Sequence, residues 1–117
     1  LALFRRGFRY RLHDKKLPGK PDLVLPKYRA VIFVNGCFWH GHNCHLYREP
    51  KTNTLFWRQK IEKNKENNYR SLQLLHAAGW RTLTIWECKL RALKDQEETL
   101  AKIASWIRMS SETDGEI

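Results

Sequence analysis

Apolar residues in the first third of the chain gather in short runs of strand-like length. The segments Asp22–Leu25 and Ala30–Val34 are rich in aliphatic and β-branched residues, which are typical of strands. Both runs are continuously apolar rather than alternating, so we expect helices to cover both faces of their sheet. Pro26–Arg29 between them predicts a hairpin-like pair at the centre of that sheet.

Further strands are predicted on either side of this pair. Phe8–Leu12 alternates apolar and basic residues, which is the pattern of a half-buried strand. It follows a helix end at Leu1–Arg6 that Gly7 terminates. Trp80–Trp86 is a β-rich apolar run that ends at Glu87–Cys88, and it predicts another strand.

The remaining apolar residues recur at helical spacing. A long helix is predicted from about Thr54 to Ala78, closed by Gly79. Its inward stripe, spaced three or four residues apart, consists of Trp57, Ile61, Asn64, Asn68, Leu72 and Leu75. A shorter helix opens with a capping box of Asp95 and Glu98. Its inward residues are Leu100, Ile103, Ala104 and Ile107.

Strands interleaved with helices predict an α/β fold whose sheet is covered by helices. We expect one domain over residues 1–109, since no repeat or linker divides it. Residues 110–117 are mostly polar and are expected to form a disordered tail.

The chain is strongly basic, with 22 Lys and Arg against 12 Asp and Glu and a formal net charge of +10. Several of the acids lie near the C-terminus, so the rest of the chain is still more basic. A basic domain that also carries five Trp and five Phe favours nucleic acid as its partner. Binding to a ribosome or a membrane surface is the alternative, which charge alone does not exclude.

Three cysteines occur in a chain that shows no signal peptide and no apolar run of membrane-spanning length. An odd number of cysteines in such a chain predicts a reducing cytoplasm, no membrane association, and thiols used as metal ligands. The sequence begins at Leu1 within a helix-like segment, and we expect an N-terminal piece to precede it.

The segment VNGCFWHGHNCH, residues 34–45, concentrates cysteines, histidines and aromatic rings. A structural zinc ion takes four tetrahedral ligands from Cys and His. The four would be Cys37, His42, Cys44 and Cys88. His42 is favoured because it lies two positions before Cys44, and alternate side chains of an extended segment point the same way. His45 or His40 could replace it; alternatively, Cys88 is a small buried hydrophobe and the loop cysteines are incidental.

Asp22 follows Pro21 at the head of a predicted central strand. On its own such an Asp is more often a solvated turn residue. It is, however, expected to lie near the end of the paired strand Ala30–Val34, and nucleases that hold Mg²⁺ on a strand carboxylate have this layout. The nearest other oxygens are the Val34 carbonyl and the Asn35 side chain. His40 is the candidate general base or acid.

Two asparagines interrupt the inward stripe of the long helix. Asn64 and Asn68 are candidates to orient water or His40. Hydrogen bonding of their amides to the backbone is an equally good expectation.

Four segments, read in order, resemble the very short patch repair endonuclease family: GKPD, VIFVNGCFWHGHNC, PKTN followed by FW, and GWRTLTIWEC. The resemblance runs from about Phe8 to Leu90. It implies a restriction-endonuclease-like fold of three layers, in which a central mixed β-sheet is flanked by helices, with a structural zinc. It also implies a Mg²⁺-dependent enzyme that nicks DNA 5′ of the thymine in T:G mismatches left by deamination of 5-methylcytosine.

The resemblance assigns roles to individual residues. The family's Mg²⁺-binding aspartate corresponds to Asp22, its backbone-carbonyl ligand to Val34 and its essential histidine to His40. Its zinc ligands correspond to Cys37, His42, Cys44 and Cys88, and its intercalating aromatics to Phe38, Trp39 and Trp57. Asn35 stands where the family usually has His or Asp, and Asn68 stands where an acid is common. The predicted catalytic residues are Asp22, His40, Asn35 and Asn64.

A T:G wobble pair stacks poorly, so rings would enter the base stack there at lower cost. We expect exposed rings at Phe38 and Trp39, which lie in a polar loop, and core packing for Trp80 and Trp86. Phosphate contacts are predicted for Lys15, Lys16, Lys20, Lys63 and Lys65.

The leading hypothesis is a monomeric nicking enzyme that acts on double-stranded DNA in the cytoplasm, at the nucleoid, with other mismatch-repair proteins as further partners. The alternative is a zinc-stabilised module that recognises mismatched or distorted DNA without cleaving it, which Asn35 and Asn68 favour. A third hypothesis is an enzyme whose nucleophile is Cys37, paired with His40.

Overall fold

The computed structural model of the chain describes residues 2–42, 44, 47–91 and 96–117. Its helices are α1 (Ala2–Arg5), α2 (Thr54–Ala77), α3 (Glu87–Arg91) and α4 (Gln96–Met109). Its strands are β1 (Arg11–Leu12), β2 (Leu23–Leu25), β3 (Ala30–Asn35), β4 (Arg81–Trp86) and β5 (Asp114–Glu116). Leu1, the alternative ligand His45 and the expected helix cap Asp95 lie outside the described residues.

Within the described ranges, five strands form one sheet in the order β1-β2-β3-β4-β5. β1, β2 and β3 are antiparallel, whereas β3, β4 and β5 run parallel. The predicted β2–β3 pair is confirmed, and it turns through a 3-10 helix at Pro26–Tyr28. The crossover from β3 to the parallel β4 contains α2, as a parallel connection requires. The prediction of an α/β structure with a mixed sheet is therefore confirmed.

Helices cover both faces of the central strands, as the continuous apolar runs predicted. Successive side chains of β3 point to opposite faces of the sheet. Ile32 packs in a core cluster with Ile103 and Ile107 of α4, whereas Val31 packs with Leu75 of α2. All five are at most 2% exposed. Since burying one such side chain contributes about 1.5–3 kcal/mol, the sheet is stabilised from both sides.

The long helix α2 turns the predicted stripe towards the sheet. Ile61 and Leu75 are buried. The half-buried members of the stripe are Trp57, Asn64, Asn68 and Leu72. Two asparagines in this inward stripe place amide groups between α2 and the sheet, where only a polar cavity can accommodate them.

The C-terminal residues are not a disordered tail, so that prediction is wrong. Asp114–Glu116 form β5, which pairs with the outer edge of β4. Thr82 N–H donates to the Thr113 carbonyl at 2.8 Å, and Ile117 N–H donates to the Thr84 carbonyl at 2.9 Å. Without β5 these groups of β4 would face outward from an open sheet edge. Their pairing outweighs the polar composition of the segment.

Two smaller differences from expectation concern element lengths. Only Arg11–Leu12 of the predicted first strand pairs with β2, because Phe8 turns into the core (1% exposed). The Arg108 guanidinium lies 4.3 Å from the centre of the Phe8 ring. The short helix α3 directly after β4 was not predicted.

No helix in the described parts of the chain has the length and apolar character needed to cross a membrane.

Candidate active site

Asp22 and Val34 meet where β2 begins and β3 ends. The two strands are antiparallel, so the start of one lies beside the end of the other. Val34 N–H donates to Asp22 Oδ2 at 2.7 Å. Because the N–H and C=O of one strand residue point to the same side, the Val34 carbonyl is also directed towards Asp22. A carboxylate and a carbonyl oxygen therefore face the same edge.

These groups line a cleft of about 450 Å³ between β3 and α2. The residues assigned a site role in the sequence that share this cleft are Lys20, Asp22, Val34, Asn35, Trp39, His40, Asn64 and Asn68. The Asp22 side chain is 37% exposed, and its Oδ1 lies 3.8 Å from His13 Nδ1. Asp22 is thus a wall of a shared cavity rather than a turn residue in bulk solvent.

Asn35 contributes an enclosed polar group to the cleft. Its side chain is only 5% exposed, and its Nδ2 atom has no hydrogen-bond partner among the described residues. An unpaired buried donor costs about 1–3 kcal/mol. An acceptor brought into the cleft by a ligand would remove this cost.

Asn64 holds the backbone next to His40. Its Nδ2 donates to the Trp39 carbonyl at 3.0 Å, so the backbone bond expected as the alternative for Asn64 is present. The bond ties α2 to the residue that directly precedes His40. Asn64 therefore holds the loop through its backbone.

The environment of His40 favours its neutral form. Burial, and then the positive charge of Lys65, lower the pKa of His40 from its ordinary value of 6.5. The imidazole is consequently neutral near pH 7, and a neutral imidazole has one ring nitrogen that accepts a proton. His40 thus suits a general base in the free protein.

Cys37, His42, Cys44 and Cys88 form one cluster, as the sequence predicted. Their candidate ligand atoms all lie within 4.8 Å of one another, and Cys88 Sγ is 3.8 Å from His42 Nδ1. Cys37 follows β3 and Cys88 follows β4. Because β3 and β4 are parallel neighbours, their ends lie at the same sheet edge, which brings these distant residues together.

The donor set and spacing of this cluster fit a zinc ion. Tetrahedral zinc with bonds of about 2.0–2.3 Å places its ligand atoms roughly 3.3–3.8 Å apart, so small side-chain movements would close the site. Three sulfurs and one imidazole nitrogen suit zinc, whereas Mg²⁺ prefers oxygen. Four protein ligands leave no position for a catalytic water, so a metal here would be structural.

The environment of Cys37 contradicts its assignment as a nucleophile. The residue is 0% exposed, and burial raises the pKa of its thiol to about 11. A reactive cysteine needs an accessible thiol with a depressed pKa. The hypothesis that pairs Cys37 with His40 is therefore wrong, whereas a bound metal would displace the thiol proton.

An aromatic cluster borders the cleft. Phe38, Trp39 and Trp57 contact one another edge-to-face, with ring centroids 5.3, 5.5 and 5.9 Å apart. Phe56 joins the cluster through Trp57 at 5.2 Å. Trp39 is 49% and Phe56 is 58% exposed, so these two rings present surface to solvent beside the cleft that Trp39 also lines. Phe38 and Trp57 are half-buried, so the expectation of an exposed ring is confirmed for Trp39 and wrong for Phe38. Phe56 was missed in the sequence, where only its position beside Trp57 pointed to it.

Known proteins of similar sequence decide the family. DNA mismatch endonuclease Vsr of Escherichia coli (strain K12) is 44% identical over 104 residues, which are 87% of this chain and 67% of the relative. The chain belongs to the Vsr family of DNA mismatch endonucleases. The Vsr family profile, described as DNA mismatch endonuclease Vsr, matches residues 1–46.

Two nicking enzymes are also similar to this Vsr chain. Type II nicking enzyme V.NmeAIP of Neisseria meningitidis is 43% identical over 106 residues, 91% of this chain and 76% of the relative. Type II nicking enzyme V.XorIIP of Xanthomonas oryzae pv. oryzae is 46% identical over 97 residues, 83% of this chain and 71% of the relative. The family resemblance seen in the sequence motifs is confirmed, and the family is one of DNA endonucleases.

The predicted phosphate-binding lysines of this Vsr chain are all exposed. Lys20 lines the cleft, and Lys65 lines a smaller pocket shared with His40 and His42. Lys15, Lys16 and Lys63 are not among the residues that line the cleft. The fold therefore brings two of the five lysines to the site.

Trp86 occupies a place in this Vsr chain that the sequence did not suggest. Trp80 is buried, at 9% exposed, as core packing predicted. Trp86 is only half-buried, and its ring stacks on His42 with centroids 4.0 Å apart and an interplanar angle of 4°. The contact depends on the pairing of β3 with β4, which local sequence does not encode.

Proposed function

We propose that this Vsr chain is a Mg²⁺-dependent endonuclease that nicks one DNA strand 5′ of the thymine in T:G mismatches, in the repair of deaminated 5-methylcytosine. The observation that carries the proposal is the shared cleft of Asp22, Val34 and His40 beside an aromatic cluster in which Trp39 is exposed. The mixed sheet with helices on both faces is compatible with the restriction-endonuclease-like fold that this function implies.

The Mg²⁺ site would be formed by the Asp22 carboxylate and the Val34 carbonyl. Both are hard oxygen donors on the same side of the sheet edge, and Mg²⁺ binds through few carboxylates together with substrate phosphate. When bound, the ion would neutralise charge that develops on the phosphoryl group. Asp22 therefore acts as the metal-holding residue.

The remaining catalytic roles belong to neutral side chains. His40 accepts the proton of the water that attacks phosphorus. The bond from phosphorus to the 3′-oxygen breaks, and the departing 3′-oxygen takes a proton from solvent. Asn35 Nδ2 is buried and has no partner among the residues that the structure describes. It donates to a phosphoryl oxygen, a role suited to a donor and not to a metal ligand. Asn64 keeps the backbone before His40 in place through Trp39, and Asn68 lines the cleft as a polar wall.

Mismatch recognition is assigned to the aromatic cluster. Phe38, Trp39 and Trp57 insert into the base stack, where stacking on an aromatic ring contributes about 1–3 kcal/mol per base. A T:G pair gives way more easily than a Watson–Crick pair because it is stacked less well. Discrimination thus arises from the lower cost of deforming mismatched DNA.

Cys37, His42, Cys44 and Cys88 would hold a zinc ion, and their ligation would fix the loop that carries Phe38, Trp39 and His40. The lysines contact phosphates, individually replaceable, so affinity falls steeply with salt. We place the activity in the cytoplasm, on nucleoid DNA, for a monomer that works beside other mismatch-repair proteins.

The test is a nicking assay on a duplex with one T:G mismatch, labelled on the thymine strand, with matched duplexes as controls. With Mg²⁺ we expect one product that ends on the 5′ side of the mismatched thymine. Asp22→Ala should abolish it while the zinc content per chain is unchanged. Tight, salt-sensitive binding without a nick in Mg²⁺ or Mn²⁺ would instead identify the non-cleaving module.

A further inference from the structure

The C-terminal strand reaches the active-site edge of the sheet. Trp86 N–H donates to the Ile117 carbonyl at 3.1 Å, which fixes the last residues of the chain beside the end of β4. Within this pairing the Trp86 indole Nε1–H donates to the Glu116 carboxylate. A hydrogen bond to a charged group is stronger than one between neutral groups, so Glu116 sets the orientation of the indole.

The same indole contacts both histidines of the loop. Its face stacks on His42, with 4.0 Å between ring centroids and 4° between ring planes. His40 meets the ring edge-to-face at 5.8 Å and 78°. The flat surface of Trp86 thus limits where both imidazoles can lie.

We infer that Trp86 and Glu116 are positioning residues for strand nicking. Glu116 orients the Trp86 indole, and the indole orients His42 in the metal cluster and His40 in the cleft. This inference rests on the proposed function, since it concerns the reaction that His40 serves. It gives the C-terminal segment a role in catalysis although none of its residues lines the cleft.

Burial alone does not account for the arrangement. Glu116 is exposed, so burial of the acid does not explain its contact with the half-buried Trp86 indole. Phe at position 86 would keep a stacking face but has no N–H, so Trp86→Phe isolates the hydrogen bond. Gln at position 116 keeps an acceptor oxygen, whereas Glu116→Ala removes it.

The experiment measures single-turnover nicking of the T:G duplex for wild type, Glu116→Ala, Glu116→Gln, Trp86→Phe and the double variant Trp86→Phe/Glu116→Ala. Glu112→Ala is the matched control, since Glu112 is an exposed acid of the same segment. Zinc per chain and melting temperature are recorded for each protein. The ring-proton NMR shifts of His40 and His42 are compared in the absence of DNA.

We expect Glu116→Ala and Trp86→Phe each to lower the nicking rate by about tenfold to a hundredfold, the range that misplacement of a catalytic group causes. The enzyme concentration that gives half of the maximal single-turnover rate should be unchanged, and Glu116→Gln should restore most of the rate. The double variant should be no slower than either single variant, since both substitutions remove the same hydrogen bond. The His40 and His42 ring shifts should change in the Ala variant and not in the Gln variant.

Two results would overturn the inference. One is a Glu116→Ala nicking rate within about twofold of wild type together with unchanged histidine shifts. Such a loss of rate would lie far below the loss of about tenfold to a hundredfold expected from a misplaced catalytic group. The other is additive losses that follow melting temperature or zinc content, which would make the contact merely structural. If wild-type protein does not nick, the proposed function fails, and the histidine shifts then decide the positioning role separately.

Discussion

The glycine in the middle of β5 provides a quantitative test of how the C-terminal strand is seated. A Cβ added at Gly115 would lie 2.9 Å from Trp106 Cε2 and still closer to Trp106 Nε1, well inside van der Waals contact. Trp106 is not free to move aside, because the Arg81 guanidinium lies 4.6 Å from the centre of its ring. Arg81 is in turn bonded to the Ile107 carbonyl at 2.8 Å.

Gly115→Ala should therefore destabilise the protein by about 1–3 kcal/mol, the usual cost of inserting a methyl group into a tightly packed contact. For a domain of this size that corresponds to a fall in melting temperature of roughly 4–12 °C. Scanning calorimetry or circular dichroism at fixed protein and zinc concentration measures it. Hydrogen exchange of the β4 amides should accelerate in parallel.

Ser111→Ala is the matched control, since Ser111 is exposed and precedes the paired segment. Its melting temperature should stay near that of wild type, as substitutions at such surface positions typically change stability by less than about 0.5 kcal/mol. Equal melting temperatures for Gly115→Ala and wild type would refute the reasoning. That result would mean that residues 114–116 do not pack on Trp106 and behave as the disordered tail first expected.

Three further predictions concern the site. Asp22→Asn keeps the shape of the side chain but removes its charge, so the single-turnover nicking rate should fall by at least about 10²-fold. The affinity for DNA should be retained. A nicking rate within about tenfold of wild type would exclude Asp22 as the metal-holding group. Cys88→Ser should reduce the zinc content, measured by atomic absorption, from one ion to none per chain. It should also lower the melting temperature, because metal binding contributes to folding free energy. Full zinc retention would contradict the four-ligand assignment. Trp39→Ala should weaken binding to T:G duplex by about 1–3 kcal/mol, measured by fluorescence anisotropy, and should weaken binding to matched duplex less. The control is Tyr69→Ala, because Tyr69 is an exposed ring of α2 (65%) outside the aromatic cluster, and its loss should leave binding unchanged. Equal losses of affinity for the two variants would remove the cluster from mismatch recognition.

Local patterns were sufficient for the elements that form the body of the sheet. The stripe of α2 was predicted correctly because 3.6-residue periodicity is a property of the helix itself, and Ile61 and Leu75 are buried as expected. The cluster of Cys37, His42, Cys44 and Cys88 was also predicted, since metal-binding residue types are recognisable before their positions are known. In both cases the signal lies in residue identity and spacing.

Other features depended on surfaces that exist only after the chain has folded. Residues 114–116 have no strand propensity of their own, and they pair because β4 presents an open edge. Trp86 meets His42 because two parallel strands end side by side. Asn35 places a buried Nδ2, unpaired within the described part of the chain, in a cleft that β3 and α2 line together. The sequence by itself determined the central strands β2, β3 and β4, the long helix and the chemistry of the ligands, since these follow from local periodicity and residue type. Only the tertiary structure decided the C-terminal strand, the Glu116–Trp86–histidine contacts and the enclosed cleft, since pairing and burial depend on residues far apart in the chain.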